Sequence, residues 1–338
     1  MDPDVKLKII SNLSRLAAIK SEDFEIELHD CSSGYASSGS VLNLFLKSFR
    51  YDYVLLNGSG SLIFKLALLK WLLPFNPVKL VVLDILLSSP ITPRDRLKAL
   101  IVKWLLKRVD LFLLYYKDTR GLQKTYGIPA EKFRYVPFKI NQIDLVRSTV
   151  PSDGGYIFCG GKTRRDFATL FEAVRGTDLP VRVVTTDNSD IQQHGSYLDL
   201  SSVPPNVEVV ILDGSAEQFI AHLAGARLVV MPIIPEICGA GIGVYIMSMA
   251  LRKCVVITDI PGTSDTLPPN AAIIVPPQDP KALRDALARA YQDEAFRRGF
   301  EQAGYDYAWQ LGGEDRLLFS VASELYAHSA VRRGGHVR

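Results

Sequence analysis

Two short segments place residues able to hold an anion where a strand gives way to a helix. In the first, Tyr156-Ile157-Phe158-Cys159-Gly160-Gly161-Lys162, two glycines and a lysine end a hydrophobic run, and Thr163-Arg164-Arg165-Asp166 follows before a helix expected over Phe167–Val174. In the second, the run Leu228–Met231 enters a loop holding Gly239, Gly241 and Gly243, and an apolar helix starting at Ile242 ends near Arg252-Lys253. Glycines at such a junction let backbone N–H groups approach a phosphate, and the helix dipole favours the anion. The first turn also clusters three cations, Lys162, Arg164 and Arg165, at the carboxyl end of the expected strand, where charge-assisted bonds to an anion could form. Two carboxylates are further candidates: Glu236, the only acid in the second glycine loop, and, far earlier in the chain, Asp84, which ends the run Leu80–Leu83. Each feature also has a plainer reading as a tight turn, a solvated basic turn, a loop acid or a strand-end cap.

The elements that would position these residues alternate along the whole chain. Strands are expected at Phe24–Leu28, Tyr53–Leu56, Leu80–Leu83 and Leu111–Leu114, with helices over 40–49, 61–72, 94–108 and 118–126. A polar connector ending near Ser152-Asp153-Gly154-Gly155 follows. The second half resumes with strands Tyr156–Cys159, Val181–Thr185, Val207–Ile211, Leu228–Met231, Val255–Thr258 and Ala272–Val275. This alternation predicts βα units on parallel sheets, hence an α/β chain of two Rossmann-like domains facing across a cleft, with ligands at the carboxyl ends of the strands. The expected domains are 1–150 and 151–325, followed by a solvated tail over 326–338. No clear opening strand is evident at the amino terminus. Two Gly/Ser-rich loops, Cys31–Ser40 and Asn57–Ser61, follow strands and offer further backbone donors.

At 338 residues with 48% apolar content, the chain suits two separate cores. Its formal net charge of +3 is unevenly shared, with 22 Lys and Arg against 14 Asp and Glu in residues 1–150. The basic half would suit an anionic surface or substrate. No aromatic-basic signature of nucleic-acid binding is present, so no nucleic acid is expected as a partner. Cys31, Cys159, Cys238 and Cys254 lie far apart without metal-ligand spacing, which predicts a reducing compartment and no disulfide framework. The only Asp-x-Asp, Asp2-Pro3-Asp4, does not end a strand, and no metal is assigned to it. Neither a signal peptide nor a spanning segment is evident, which predicts a cytoplasmic protein or one peripheral on the inner face of the membrane.

The segment 228–291 resembles the nucleotide-sugar half of GT-B glycosyltransferases, above all the large retaining group of family 4, the glycosyl transferases group 1. Met247-Ser248-Met249-Ala250 stands where that group reads E-A-M-A, Arg252-Lys253-Cys254-Val255-Val256 matches its G-K-P-V-I, and Pro276-Pro277-Gln278-Asp279-Pro280 with Ala282-Leu283 matches V-P-P-G-D-P-x-A-L. The resemblance implies that Gly160, Gly161, Lys162 and Arg165, with Gly239, Gly241, Ile242 and Gly243, hold the donor diphosphate, and that Glu236 reaches the donor sugar. More weakly, Tyr51–Gly58 is similar to the strand Y-D-V-V-H-x-H, and Tyr126–Phe133 to Y-G-I-P-x-E-K. There Asp84 would be the acceptor-side carboxylate. Two departures stand out. Met247 occupies the position of the glutamate that usually binds the donor ribose, and a thioether cannot accept those bonds as a carboxylate does. Leu83 occupies the position of a histidine.

The function so implied is a hexosyltransferase-like enzyme, retaining, moving a sugar from a nucleotide-sugar donor to an acceptor that is a sugar, a lipid-linked hydroxyl or a polysaccharide precursor. No cofactor is implied. The alternatives are a catalytically inactive GT-B-like binding or scaffold subunit and a nucleotide-sugar epimerase. A third surface points to a membrane: in the helix over 94–109, Leu97, Leu100, Ile101, Trp104 and Leu105 recur at helical spacing, with Arg96, Lys103 and Lys107 on one flank. An apolar stripe with a tryptophan and cations suits an anionic lipid surface, and a core-packed helix with a solvated basic side is the alternative.

Overall fold

A computed structural model describes residues 6–13, 24–29, 38–58 and 60–334. Its first compact unit comprises residues up to Val136 together with those from Leu318 onward, and its second is Pro137–Leu317.

The first unit is built on six strands: β1 (Leu7–Ser11), β2 (Phe24–Leu28), β3 (Tyr53–Asn57), β4 (Lys79–Leu83), β5 (Leu111–Leu114) and β6 (Phe133–Tyr135). They lie in the order β2-β1-β3-β4-β5-β6 and every pair is parallel. Parallel neighbours need a crossover, supplied here by α1 (Ser38–Lys47), α2 (Gly60–Leu72), α3 (Pro93–Leu106) and α4 (Arg120–Tyr126). Strands β3 to β5 read as nearly continuous runs of Val, Leu and Phe because both faces of the sheet are covered. The opening strand that the sequence reading did not find is β1. It is only five residues long and carries Lys8 on an exposed position, yet it sits inside the sheet between β2 and β3.

The second unit begins with α5 (Ile143–Ser148). Its sheet holds β7 (Ile157–Gly160), β8 (Val181–Thr185), β9 (Val207–Ile211), β10 (Leu228–Met231), β11 (Cys254–Thr258) and β12 (Ile273–Val275). The helices are α6 (Phe167–Val174), α7 (Asn188–Gln193), α8 (Ala216–Ala224), α9 (Ile242–Ala250), α10 (Pro280–Gln292) and α11 (Glu294–Leu311), with α12 (Glu314–Gly334) returning the chain to the first unit. The strand order is β12-β11-β10-β7-β8-β9, all parallel. Counted within the unit this is the doubly wound order whose direction reverses between its first and fourth strands, β7 and β10.

The expected boundary near residue 150 is displaced to Val136/Pro137. The intervening segment is held by the second unit: the Ile140 amide donates to the Gly312 carbonyl at 2.8 Å, and Gly313 packs against the Ile143 side chain. The expected tail over 326–338 is helical as far as Gly334. That helix is fixed by contacts a tail would lack, since Tyr53 Oη lies 2.9 Å from His328 Nδ1 and the Tyr326 ring meets Phe24 edge-on.

Candidate active site

The two glycine turns singled out in the sequence end β7 and β10, the adjacent strands at which the second sheet reverses direction. Backbone bonds tie the two turns together. Arg165 and Ile233 form an isolated antiparallel bridge, the Asp166 amide donates to the Pro232 carbonyl at 3.0 Å, and the Ile234 amide donates to the Arg164 carbonyl at 2.9 Å. Thr258, at the end of β11, accepts the Ile233 amide through its hydroxyl at 3.0 Å and so fastens the second loop to the neighbouring strand.

Arg165 lies beneath both turns and is 1% exposed. Its Nε donates to the Gly160 carbonyl at 2.8 Å and its Nη1 to the Thr163 carbonyl at 2.8 Å. A Cβ added at Gly161 would fall 2.6 Å from Nη2, and one at Gly241 would fall 3.1 Å from Nη1. Both glycines have left-handed backbones, φ 96° and 73°. The guanidinium therefore fills the space that side chains at these two turns would need. Its hydrogen-bond acceptors are neutral carbonyls, and among the described residues no carboxylate stands within ion-pair distance of it. Burial draws its pKa down to about 10, which leaves it charged at neutral pH. A buried, charged group without a counter-ion is costly unless an anion joins it. Gly241 also caps α9, and being glycine it supplies no side-chain acceptor to the first-turn amides.

The remaining residues of the two turns have different surroundings. Gly160 is required by packing, since a Cβ there would lie 2.3 Å from the Phe158 ring. Gly243 is pressed against Asn141, whose Nδ2 would stand 2.5 Å from an added Cβ. Gly239 and Ile242 are buried beside them. Lys162 is paired with Asp190 at 3.0 Å, and Asp190 also accepts from Thr186 Oγ1 at 2.6 Å. Those two hydrogen bonds, Thr186 first, hold the Asp190 carboxyl below the usual range. Glu236 is not an exposed loop acid: its side chain is 9% exposed and pairs with Arg164 at 2.8 Å. Arg164 adopts φ 56°, and its guanidinium packs on Gly195. The chain thus sends two successive arginines to different tasks, Arg164 to Glu236 and Arg165 beneath the glycines. Ser196 was not anticipated. It accepts the Arg165 amide through its hydroxyl at 2.7 Å and donates to the Lys162 carbonyl at 2.6 Å, and no motif marks it in the sequence. Met247 is buried in α9 at 6% exposure, so the position that resembles the ribose glutamate is part of the core.

In the first unit, Asp84 sits one residue beyond β4 with φ 52°, a left-handed conformation that costs a residue other than glycine free energy. Its amide donates to the Leu113 carbonyl at 2.9 Å. Burial raises the carboxyl pKa to about 6, and no cation lies within ion-pair distance among the described residues. Leu83 is a core residue, 1% exposed. Of the two Gly/Ser-rich loops, most of Cys31–Ser40 lies outside the described residues, as does Asp2-Pro3-Asp4. Asn57, opening the other loop, exchanges two hydrogen bonds with Asn12 after β1, at 2.8 and 3.0 Å.

The proposed membrane helix α3 divides its apolar residues between two faces. Ala99, Leu105 and Leu106 turn inward, whereas Leu97, Leu100, Ile101 and Trp104 remain exposed. Leu105 therefore leaves the stripe expected at the surface. Arg96 and Lys107 are exposed, while Lys103 is half-buried with its Cε close to the Gly127 turn. No described helix is long and apolar enough to cross a membrane.

Residues 165–293 match the family model of glycosyl transferases group 1. Solved structures share the fold across nearly the whole chain. Anabaena HepE in complex with UDP and glucose is 13% identical with a TM-score of 0.66, over 95% of this chain and 100% of that one. Sucrose-phosphate synthase from Thermosynechococcus elongatus is 16% identical with a TM-score of 0.65, over 87% and 79%. The E. coli trehalose-6-phosphate protein bound with UDP-2-fluoro glucose is 13% identical with a TM-score of 0.61, over 85% and 76%. No curated protein matches at the sequence level. The chain therefore has the fold of the GT-B glycosyltransferase structures, and residues 165–293, within its second unit, carry the match to glycosyl transferases group 1.

Proposed function

We propose that the protein transfers a sugar from a UDP-sugar to an acceptor hydroxyl with retention of anomeric configuration. The observation that carries this reading is the Arg165 guanidinium, buried and without a carboxylate beneath two glycine turns where the sheet reverses. UDP is chosen because it is the ligand in the HepE complexes. In this reading Arg165, Lys162 and the first-turn amides of α9 hold the diphosphate. As the bond from the sugar's anomeric carbon to the diphosphate oxygen breaks, the electron pair passes to that oxygen, and these donors stabilise the charge. The acceptor oxygen bonds to the same face of the anomeric carbon, and its proton passes to the departing phosphate. The cations supply the charge stabilisation, so the reading calls for no metal. Glu236, held by Arg164, orients the donor sugar, and Asp84 contacts the acceptor hydroxyl. The acceptor is lipid-linked or a polysaccharide precursor, met on the cytoplasmic side of a membrane.

The test is calorimetric titration of UDP into wild type and Arg165→Met, which keeps side-chain length and removes the charge. Each lost charge-assisted bond is worth about 1.5–3 kcal/mol, so affinity should fall roughly 10- to 150-fold. Equal affinity in a folded variant would move the diphosphate elsewhere. UDP binding without turnover of any UDP-sugar would favour the binding-subunit alternative, and interconversion of UDP-sugars without UDP release would favour an epimerase.

A further inference from the structure

Helix α3 does not use its outer apolar residues to build the fold. Leu97, Leu100, Ile101 and Trp104 are 63%, 63%, 55% and 41% exposed. The neighbouring helix α2 extends the same surface. Its Trp71 stacks on Trp104 with ring centroids 4.7 Å apart, Leu72 next to it is 66% exposed, and the equally exposed Phe75 beyond the helix stacks on Phe49. Single exposed apolar residues need no explanation, but a group on two packed helices marks an interaction surface. Its chemistry is not apolar alone. The α3 segment carries Arg94, Arg96, Lys98, Lys103, Lys107 and Arg108 against one carboxylate, Asp95, which is engaged in the capping box with Thr92. Arg108 lies over the Trp71 ring at 4.0 Å, so the cations border the aromatic pair directly.

We propose that the α2–α3 face is the protein's contact with an anionic lipid bilayer. Leucine, isoleucine and phenylalanine side chains enter the boundary between headgroups and acyl chains, and tryptophan is suited to that depth because its ring is amphipathic. Long Lys and Arg stems lie along the apolar surface while their charged ends meet lipid phosphates. The excess of cations is what selects anionic lipid over a neutral surface. This inference is independent of sugar transfer, since binding to vesicles requires no turnover.

Flotation with vesicles of phosphatidylcholine, alone or mixed with phosphatidylglycerol, tests it. Wild type should partition about tenfold or more in favour of the anionic vesicles, and high salt should remove that preference. Leu100→Ser with Ile101→Ser should lower partitioning about tenfold by removing insertion, and Arg96→Glu with Lys107→Glu should lower it comparably by removing attraction. All four positions are exposed, so melting temperature and UDP affinity should match wild type in both variants, which separates a failure here from a failure of the donor-site reading. The inference is overturned if wild type ignores anionic vesicles, if it binds neutral ones equally, or if either double variant partitions as wild type does. It is also overturned if the face instead drives self-association or capture of an acidic protein that Leu100→Ser with Ile101→Ser abolishes.

Discussion

Replacing Asp84 by Asn should stabilise the protein and impair it as an enzyme. Asn tolerates the left-handed backbone at this position, φ 52°, nearly as well as Asp, so the substitution removes charge without adding backbone strain. Burial raises the carboxyl pKa from about 4 in an unfolded chain to about 6 in the fold. The folded state therefore holds this proton more tightly than the unfolded state. Above about pH 6 the ionised carboxylate is buried at a cost, and the cost disappears as pH falls through the window to about 4. A displacement of about two pH units corresponds to ~3 kcal/mol, an upper bound because the side chain keeps some contact with solvent. Urea unfolding at a series of pH values should show Asp84→Asn more stable by ~1–3 kcal/mol at pH 8, with the gap closing towards pH 4. Sugar transfer should fall at the same time. Equal or lower stability at pH 8, or a stability gap that ignores pH, would refute the electrostatic reasoning; undiminished transfer would remove Asp84 from the acceptor site.

Gly241→Val should cost more than Gly176→Ala although both glycines are left-handed, because a Cβ at Gly241 meets Met231 Cε at 2.8 Å whereas Gly176 faces open space. Melting temperature should fall for both and UDP affinity only for the former, and a Gly241→Val protein that binds UDP normally would count against a phosphate at that turn. Glu236→Gln removes the negative charge that pairs with a partly exposed Arg164, at a cost of about 1–2 kcal/mol in stability, reduced from the fully buried case by solvent. Transfer should drop by more than that loss explains, as read from turnover and unfolding on one preparation. Lys253, buried with its Nζ donating to the Ser152 and Ala226 carbonyls, has its pKa drawn down to about 8 by burial. The unfolded chain then binds the extra proton between about pH 8 and 10.4, so stability should rise across that window in wild type and not in Lys253→Met, as followed by urea midpoints.

The positions of the strands were readable because fully buried parallel strands leave apolar runs that glycine and proline interrupt, as Leu228–Met231 and Cys254–Thr258 show. Strand order is not a local property. That β7 and β10 are neighbours, and so bring the two glycine turns together, follows from long-range pairing invisible in either turn alone. The sequence singled out Arg165 for the donor side but did not show that it is buried beneath the glycines while its neighbour Arg164 pairs with Glu236, because the turn that separates the two depends on loops thirty or more residues away. Helical spacing likewise marked the apolar residues of α3 without saying which way they face, and Leu105 proved to be core while Leu97 and Leu100 did not. Short β1 escaped because five residues with a lysine among them resemble a polar leader more than a sheet interior.

The most direct test of the account is to incubate the protein with individual UDP-sugars and candidate acceptors, lipid-linked ones included, and to follow UDP release together with the anomeric configuration of the product by NMR. The account predicts that one UDP-sugar is consumed with equal release of UDP, that the product keeps the donor's configuration, and that Arg165→Met loses most of this turnover. A product of inverted configuration would contradict the proposed geometry of transfer, and turnover unaffected by Arg165→Met would contradict the placement of the diphosphate beneath the two glycine turns.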